Sequence, residues 1–202
     1  MRITLFGATG RTGRLLTQLA LDTGHEVTAY ARTPDKLRIT HPNLSIVTGQ
    51  LDNDAAILEA VRTADAVIEG VGSESEATRR IITAMDTAGV KRFVAVSTCS
   101  VPDPNDLPDT RLKTLVHSVK TAAPRAYTEV RAAAQAVRAS DLDWTLVRVA
   151  KLNDEAASGN VKVGHYGHGA VDLSLSRADL AAFLLTQTSD DTYVRSAPAI
   201  SN

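Results

Sequence analysis

Three glycines spaced three residues apart follow a short apolar run near the start of the chain. The run is Ile3-Thr4-Leu5-Phe6, and the glycine segment is Gly7-Ala8-Thr9-Gly10-Arg11-Thr12-Gly13. Apolar residues then recur at helical spacing over residues 14–21, Gly24 ends that pattern, and residues 25–30 have the composition of a second strand. The order strand, tight turn, helix and strand predicts a βαβ unit at the beginning of the chain.

The glycine turn has the composition of a phosphate-binding segment. The first N–H groups of a helix have no partner within the helix, and the helix dipole adds partial positive charge there. The diphosphate of a dinucleotide satisfies both, and a Cβ would block the turn or the approach of the phosphate. The glycine spacing is G-x-x-G-x-x-G rather than the usual G-x-G-x-x-G of dinucleotide-binding turns. The alternative to phosphate binding is therefore a turn whose glycines only allow the helix to pack closely on the strand. The context favours binding of NAD(H) or NADP(H).

Composition excludes several classes of protein. A length of 202 residues with 44% hydrophobic residues fits one α/β domain over residues 1–202. With a formal net charge of −1, the chain has no strong positive field that would attract nucleic acid or an anionic membrane. One cysteine, a first strand beginning by residue 2 and no apolar run of membrane-spanning length predict a cytoplasmic protein without a signal peptide. The chain is expected to be a monomer or a small homo-oligomer.

Strand and helix patterns alternate along most of the chain. Strands are predicted at residues 44–48, 66–69, 92–97 and 144–149, with a short last strand within 192–200. Helices are predicted at 55–61 with Asp54 as N-cap, near 75–88 ending at Gly89, at 127–139, and from 176 to about 188. The proline-rich segment 101–110 is predicted to be a loop.

Repeated right-handed βαβ crossovers predict a doubly wound parallel sheet of the Rossmann type, in a three-layer αβα arrangement with a short C-terminal extension. Loops at the carboxyl ends of the strands form the ligand crevice in such a sheet. We expect residues 150–202 to contribute a lid on the substrate side. The predicted crevice loops are residues 7–13, 31–36, 49–53, 70–76, 97–110 and 150–170.

The end of the second predicted strand determines which dinucleotide fits. Selective NAD sites place an acidic residue there, which binds the ribose hydroxyls. In this chain the corresponding position is at or near Ala31, which is followed by Arg32 and, four residues later, by Lys36. A guanidinium pairs with a 2′-phosphate, and Arg11 in the glycine turn is a further candidate for the same phosphate. We therefore expect NADP(H) in preference to NAD(H), the alternative being that Arg32 and Lys36 are ordinary surface cations.

Four segments in order resemble the atypical short-chain dehydrogenase/reductase family, in particular its NAD(P)-binding NmrA-like and biliverdin reductase B-like (flavin reductase-like) members. The matching segments are 7–13 followed by Arg32, 94–98 (V-A-V-S-T), 138–148 (R-A-S-D-L-D-W-T-L-V-R) and 176–181 (S-R-A-D-L-A). The chain departs from the family pattern in four places: Asp141 stands where glycine is usual, Val149 where proline is frequent, and Gln50 where an acidic residue is usual. In addition, Arg131-x-x-x-Gln135 replaces a common Lys-x-x-x-Glu.

The resemblance implies a set of site residues. Thr98 would bind the substrate oxygen, and Tyr127 with Arg131 four residues later matches the spacing of a tyrosine–lysine catalytic pair, although arginine does not replace lysine equivalently. The cofactor-binding candidates are Gly7, Thr9, Gly10, Arg11, Thr12, Gly13, Arg32, Lys36, Gln50, Leu51, Gly72, Ser97 and Arg131. No metal is expected, because His165 and His168 have no nearby carboxylate or thiol in sequence.

Two functions remain open. The first is an NADPH-dependent oxidoreductase that transfers hydride to a flavin, quinone or other small conjugated acceptor. In that case orientation and exclusion of water supply most of the catalysis, and solvent can supply the proton. The second is a non-catalytic NmrA-like sensor of NADP(H), which the replacement of lysine by Arg131 favours. An epimerase or dehydratase acting on nucleotide sugars would need a larger C-terminal substrate domain.

Overall fold

The computed structural model describes residues 1–72 and 74–202, so Ser73 in the predicted crevice loop 70–76 lies outside the described residues. The strands are β1 Arg2–Phe6, β2 Glu26–Ala31, β3 Leu44–Thr48, β4 Ala66–Glu69, β5 Arg92–Thr98, β6 Asp143–Val149, β7 Lys151–Asn153, β8 Lys162–Gly164, β9 Ser174–Ser176 and β10 Ala199–Ser201. The α-helices are α1 Arg11–Asp22, α2 Asp54–Val61, α3 Ser75–Ala88, α4 Thr110–Ala122, α5 Pro124–Ala139 and α6 Arg177–Thr186, with a 3-10 turn at Pro34–Lys36.

Eight of these strands form one sheet in the order β3-β2-β1-β4-β5-β6-β10-β8. The strands from β3 to β10 pair in parallel, and β8 pairs antiparallel with β10 at the edge. The chain order reverses between β1 and β4, so the crevice at their carboxyl ends is the switch point where ligands bind in doubly wound sheets. The predicted Rossmann-type sheet is confirmed.

Helices cover both faces of the sheet. On one face α2, α3 and α5 enclose a cluster that includes Val67 and Phe93, and on the other face α1 and α6 enclose a cluster that includes Leu5 and Val94. Adjacent residues of β5 therefore point to opposite clusters, and the strand is apolar from Phe93 to Val96 because both of its faces are covered. This gives the predicted three-layer arrangement.

Several predicted boundaries agree with the structure and a few are wrong. Helix α3 ends at Gly89, which has the left-handed conformation expected of a C-cap. Helix α2 is capped by Asn53 rather than Asp54, because the Asn53 side chain accepts a hydrogen bond from the Ala56 N–H. Helix α5 begins three residues before Tyr127, at Pro124, since proline suits a helix start.

The segment after β6 contains more regular structure than the sequence predicts. Strands β7 and β9 pair in parallel as a separate two-stranded sheet, and β8 forms the antiparallel edge of the main sheet. The buried Asp179 carboxylate at the start of α6 holds the loop between β7 and β8, accepting hydrogen bonds from the N–H groups of Ser158 and Gly159 at 2.9 and 3.0 Å. Burial would raise the pKa of Asp179, but these and other hydrogen bonds lower it overall.

Candidate functional site

The glycine turn connects β1 to α1 at the centre of the crevice. Gly7 has φ +91, and the Gly10 N–H donates to the Gly7 carbonyl at 3.0 Å. A Cβ on Gly13 would lie 2.1 Å from that carbonyl oxygen and 2.9 Å from Ala8 backbone atoms. The turn therefore closes only without a side chain at position 13, as expected where a helix begins tightly against a strand.

The N-terminus of α1 is open. Gly10 is its N-cap, no side chain caps the helix, and its first turn contains no acidic residue. The first amides of a helix need acceptors, and the dipole favours negative charge at this end. The residues present thus fit the diphosphate of a dinucleotide, with Thr12 and Gly13 in the first turn.

A cavity of about 1100 Å³ extends from the glycine turn over the ends of β2 and β3. Arg32 and Lys36 line it, are exposed, and make no ion pair within the described ranges 1–72 and 74–202. The Tyr30 hydroxyl donates to the Gln50 carbonyl at 2.6 Å and holds the loop after β3 in place. Gly7, Thr9, Gln50 and Leu51 also line this cavity.

Carboxylates that the sequence reasoning missed also line this cavity. Burial raises the pKa of the Tyr30 phenol, and the negative charge of nearby Asp52 raises it further. Asp52 itself lines the cavity. Glu129 of α5 accepts a hydrogen bond at 2.9 Å from the Ser75 N–H at the start of α3, and hydrogen bonds from Ser75 lower the pKa of Glu129. The hydrogen bond between Glu129 and Ser75 joins α5 to α3 at the wall of the cavity, and nothing in the local sequence indicates it.

A second cavity of about 240 Å³ lies between the glycine turn and residues of β7 and α6. Leu152 and Arg177 line it together with Val96 of β5 and residues of the turn, including Arg11. Asp154 forms an ion pair with Arg11 and another with Arg177, the latter at 2.8 Å. Arg11 lines this second cavity and pairs with Asp154, whereas Arg32 lines the larger one. That both reach one phosphate stays a prediction.

The catalytic candidates lie at the end of β5 and on α5. Tyr127 is half-buried, with the Lys120 ammonium 5.9 Å and the Arg131 guanidinium 5.4 Å from its ring centre. Arg131 donates to the Ser100 carbonyl at 3.0 Å, and the Thr98 hydroxyl accepts from the Ser100 N–H at 3.2 Å. Arg131 thus reaches the segment that follows Thr98. Among residues 1–72 and 74–202, no hydrogen bond joins the Thr98 and Tyr127 hydroxyls.

Two remaining candidates lie deeper. Ser97 is buried, and its hydroxyl has no hydrogen-bond partner in the described part of the chain. Gly72 follows β4, and its N–H is hydrogen-bonded to the Glu69 carboxyl group. Both lie near the crevice end of the central strands, without lining either of the two cavities.

A protein-family profile described as NAD(P)H-binding matches residues 7–191. The chain belongs to the NAD(P)H-binding family. This membership and the fold confirm the resemblance to the atypical short-chain dehydrogenase/reductase group. Within this family, the open glycine turn fits an NAD(P)H-dependent reductase.

Relatives and solved structures agree with this family. Oxidoreductase stcQ of Emericella nidulans is 32% identical over 189 residues, which cover 77% of this chain and 67% of that protein. A short-chain dehydrogenase/reductase from Veillonella parvula, solved with NADP, has a TM-score of 0.84 at 21% identity and covers 100% of this chain and 94% of its own. The anaerobilin reductase ChuY from Escherichia coli O157:H7 has a TM-score of 0.82 at 23% identity, covering 100% and 97%.

Some relatives are much longer than the matched region. A probable pinoresinol-lariciresinol reductase from Arabidopsis thaliana is 27% identical over 114 residues, which cover 54% of this chain and 37% of that protein. The match to such plant reductases therefore spans only about a third of their length.

Glu69 is a buried carboxyl group in this NAD(P)H-binding protein. It is 1% exposed at the crevice end of β4 and accepts a hydrogen bond at 2.8 Å from the Thr78 hydroxyl of α3. Burial raises the pKa of Glu69 to about 7, and the hydrogen bonds from Thr78 and Gly72 offset only part of that effect. The group therefore changes charge near neutral pH beneath the loop that follows β4.

Arg148 at the end of β6 braces the loops around the crevice. It is fully buried and forms a bidentate pair with Asp106 at 2.5 and 2.9 Å, while Asp106 also accepts from the Tyr166 N–H at 3.1 Å. The Arg148 guanidinium lies 5.2 Å from the centre of the Tyr166 ring. Loops 101–110 and 164–168 are therefore held together by one buried cation.

Other residues with reactive side chains show no sign of a second chemistry. Cys99 is buried, and burial raises the pKa of its thiol, which disfavours the nucleophilic thiolate. Over residues 1–72 and 74–202, no group of three His, Cys, Asp or Glu side chains is arranged to hold a metal ion. No helix in the described ranges is long and apolar enough to cross a membrane.

Proposed function

We propose that this chain is an NADPH-dependent reductase of a flavin, quinone or other small conjugated acceptor. The observation that carries the proposal is the uncapped start of α1, which opens at the glycine turn beside a large cavity containing Arg32 and Lys36. Bound NADPH supplies the hydride, and the acceptor takes up that hydride and a proton. The other contributions come from this chain, which binds, orients and shields the reactants.

The cofactor would lie along the crevice with its diphosphate on the amides at Gly10–Gly13. Arg32 and Lys36 would pair with the 2′-phosphate, because both are free of ion pairs in the described structure and no acidic residue stands at the end of β2. Gln50 and Leu51 would flank the adenine. This arrangement favours NADP(H) over NAD(H).

At the other end, Thr98, Ser97 and Gly72 would lie near the nicotinamide, and Arg131 would hold its ribose. The Tyr127 hydroxyl has no hydrogen-bond partner among the described residues, and Arg131 is already engaged with the Ser100 carbonyl. Nothing in this arrangement activates the phenol as an acid. Solvent is therefore the proposed proton source, with Thr98 orienting the acceptor oxygen and Tyr127 forming a wall of the site.

The names of the relatives support a reductase. Oxidoreductase stcQ, the probable pinoresinol-lariciresinol reductase, a phenylcoumaran benzylic ether reductase from Pinus taeda and the anaerobilin reductase ChuY are all named for redox chemistry.

The test is an absorbance assay of NADPH oxidation. Purified protein is mixed with NADPH and then with FMN, menadione or a redox dye, and loss of the reduced-nicotinamide band is followed against a blank without protein. We expect turnover with at least one acceptor and a lower KM for NADPH than for NADH. Tight NADPH binding without oxidation by any acceptor would refute the reductase and favour the NADP(H) sensor.

A further inference from the structure

The buried Glu69 carboxyl group lies beneath the loop that separates the two cavities. Glu69 ends β4 opposite Phe6, the last residue of β1, and the N–H of Gly70 donates to the Phe6 carbonyl at 2.9 Å. Gly70 lines the smaller cavity and Val71 lines the larger one. A ligand that extends across the glycine turn from one cavity to the other therefore borders the loop that begins after Glu69.

This loop packs tightly on both of its neighbours. A Cβ on Gly7 would lie 3.2 Å from the Gly70 carbonyl carbon, and a Cβ on Gly72 would lie 2.8 Å from the Val96 carbonyl oxygen. The Gly72 N–H is hydrogen-bonded to the Glu69 carboxyl group. The carboxyl group thus holds the loop against the glycine turn, at the place proposed for the diphosphate.

The Thr78 hydroxyl can accommodate either charge state of Glu69. It donates to Oε1 of Glu69 at 2.8 Å, and it also lies 3.5 Å from the Glu74 carbonyl oxygen. A hydroxyl group both donates and accepts hydrogen bonds. A protonated Glu69 can therefore donate to Thr78, whose own hydrogen then turns toward Glu74. Glu69 gains or loses a proton without any movement of the chain.

No charge fixes the protonation of Glu69 in the described structure. Its paired residues on β1 and β5 are Phe6 and Ala95. Burial raises the pKa of Glu69, the hydrogen bonds from Thr78 and Gly72 lower it, and no charged side chain is among these causes. The titratable side chains at the starts of the three helices that cover this face are Asp54 of α2, Glu74, Glu76, Arg79 and Arg80 of α3, and Arg125, Tyr127, Glu129 and Arg131 of α5.

We propose that Glu69 positions the loop after β4 for the cofactor and takes up a proton when NADPH or NADH binds at the glycine turn. This inference rests on the proposed function, since it needs the diphosphate at that turn. The bound dinucleotide covers the loop and brings negative charge near a carboxyl group that is already buried, and both effects favour its neutral form. Linkage is reciprocal, so a proton on Glu69 also strengthens cofactor binding.

Calorimetric titration with NADPH at pH 7.5, in HEPES and separately in Tris, counts the protons. A proton taken from the buffer adds the buffer's heat of ionisation to the measured heat, so the difference between the two buffers gives the number taken up. One unit charge within about 10 Å changes a protonation equilibrium by about tenfold at an effective dielectric constant of about 20. With a pKa of about 7 that burial gives Glu69, we expect uptake of about half a proton and a Kd about sixfold higher at pH 8.5 than at pH 6.5.

Glu69→Gln is the matched variant, because an amide has the size of a neutral carboxyl group and both donates and accepts hydrogen bonds. Its proton count is expected to fall below the wild-type count by about half a proton. Other titrating groups, including the 2′-phosphate of NADPH, are common to both proteins and cancel in this difference. NADH carries the same diphosphate, so it is expected to give the same difference.

Glu59→Gln provides the control for the substitution itself. Glu59 is exposed on α2 and lines neither cavity, so the variant loses the same charge away from the crevice. Its proton count and its dependence of Kd on pH are expected to match the wild type.

Thr78→Val tests the same assignment while keeping the carboxyl group. The variant loses a hydrogen bond that lowers the pKa of Glu69, so more of the free protein is protonated at pH 7.5. Proton uptake is therefore expected to fall at pH 7.5 and to return at higher pH. This variant decides the question if Glu69→Gln does not fold.

The outcomes separate this inference from the proposed function. Binding without proton uptake in the wild type, or with equal uptake in Glu69→Gln, overturns the role of Glu69 and leaves the cofactor site standing. An unchanged proton count in Thr78→Val also overturns it. The absence of heat with both NADPH and NADH in both buffers contradicts the cofactor site, and the proposed reductase with it.

Discussion

Replacing Glu69 by glutamine is expected to flatten part of the pH dependence of this protein's stability. Glu69 is 1% exposed, and burial raises its pKa from 4.5 to about 7. Because one pKa unit corresponds to about 1.4 kcal/mol, ionising Glu69 in the folded chain costs about 3 kcal/mol relative to ionising it in the unfolded chain. The Thr78 hydroxyl bond at 2.8 Å reduces this cost without removing it.

The sign follows from the raised pKa. Below about pH 4.5 the carboxyl group is protonated in both states, so the wild-type protein carries no penalty. Between that pH and about 7 the unfolded chain ionises while folded Glu69 holds its proton, so wild-type stability falls steadily and then levels off above about pH 8. Glu69→Gln does not titrate, so this part of the slope disappears.

The assay is denaturant unfolding, followed by circular dichroism, at half-unit steps from pH 4.5 to 8.5 for both proteins. The free energy of unfolding of the variant minus that of the wild type should rise by about 3 kcal/mol across this range. All other titrating groups are common to both proteins and cancel in the difference. A difference that is constant with pH would refute the reasoning, since it would mean that Glu69 keeps an ordinary pKa in the fold.

Three further predictions concern the cofactor site. Arg32→Glu is expected to weaken NADPH binding by about thirtyfold or more, the scale of a lost charged hydrogen bond, and NADH binding by less than about threefold; equal losses in calorimetry would contradict the 2′-phosphate assignment. Tyr127→Phe is expected to lower the rate of flavin reduction by less than about tenfold, and a hundredfold loss in steady-state assays would instead identify a general acid. Asp154→Ala releases Arg11 and removes a negative charge beside the glycine turn, so NADPH is expected to bind about threefold more tightly, and weaker binding in the same titration would contradict this reading of the ion pair.

The sequence predicts the features that depend on local pattern. The apolar strands, the glycine turn and the left-handed Gly89 each follow from residue types within a few positions, and the structure confirms the strand and turn positions. The sequence prediction starts α5 at Tyr127, three residues late, because it passes over Pro124, which is the stronger signal for a helix start. The choice of Asp54 over Asn53 as a cap failed because both residue types cap equally well.

Contacts between distant parts of the chain could not be predicted in this way. Glu129 meets Ser75 across 54 positions, and Arg148 meets Asp106 across 42, so neither pair leaves a local pattern. The ion pair between Arg11 and Asp154 belongs to the same class and joins the glycine turn to the segment that follows β7. Such pairs depend on how loops from separate strands meet at the crevice, which requires the whole fold.

Calorimetric titration of the protein with NADPH, beside the variant Gly13→Ala, tests the cofactor site most directly. A Cβ at position 13 would lie 2.1 Å from the Gly7 carbonyl oxygen, so the variant cannot keep the turn that opens the start of α1. We predict heat and saturation for the wild type, and at least a hundredfold weaker binding for a variant that is still folded by circular dichroism, as for loss of about 3 kcal/mol. No heat with the wild type, or equal affinity in both proteins, would contradict the placement of the diphosphate at the glycine turn.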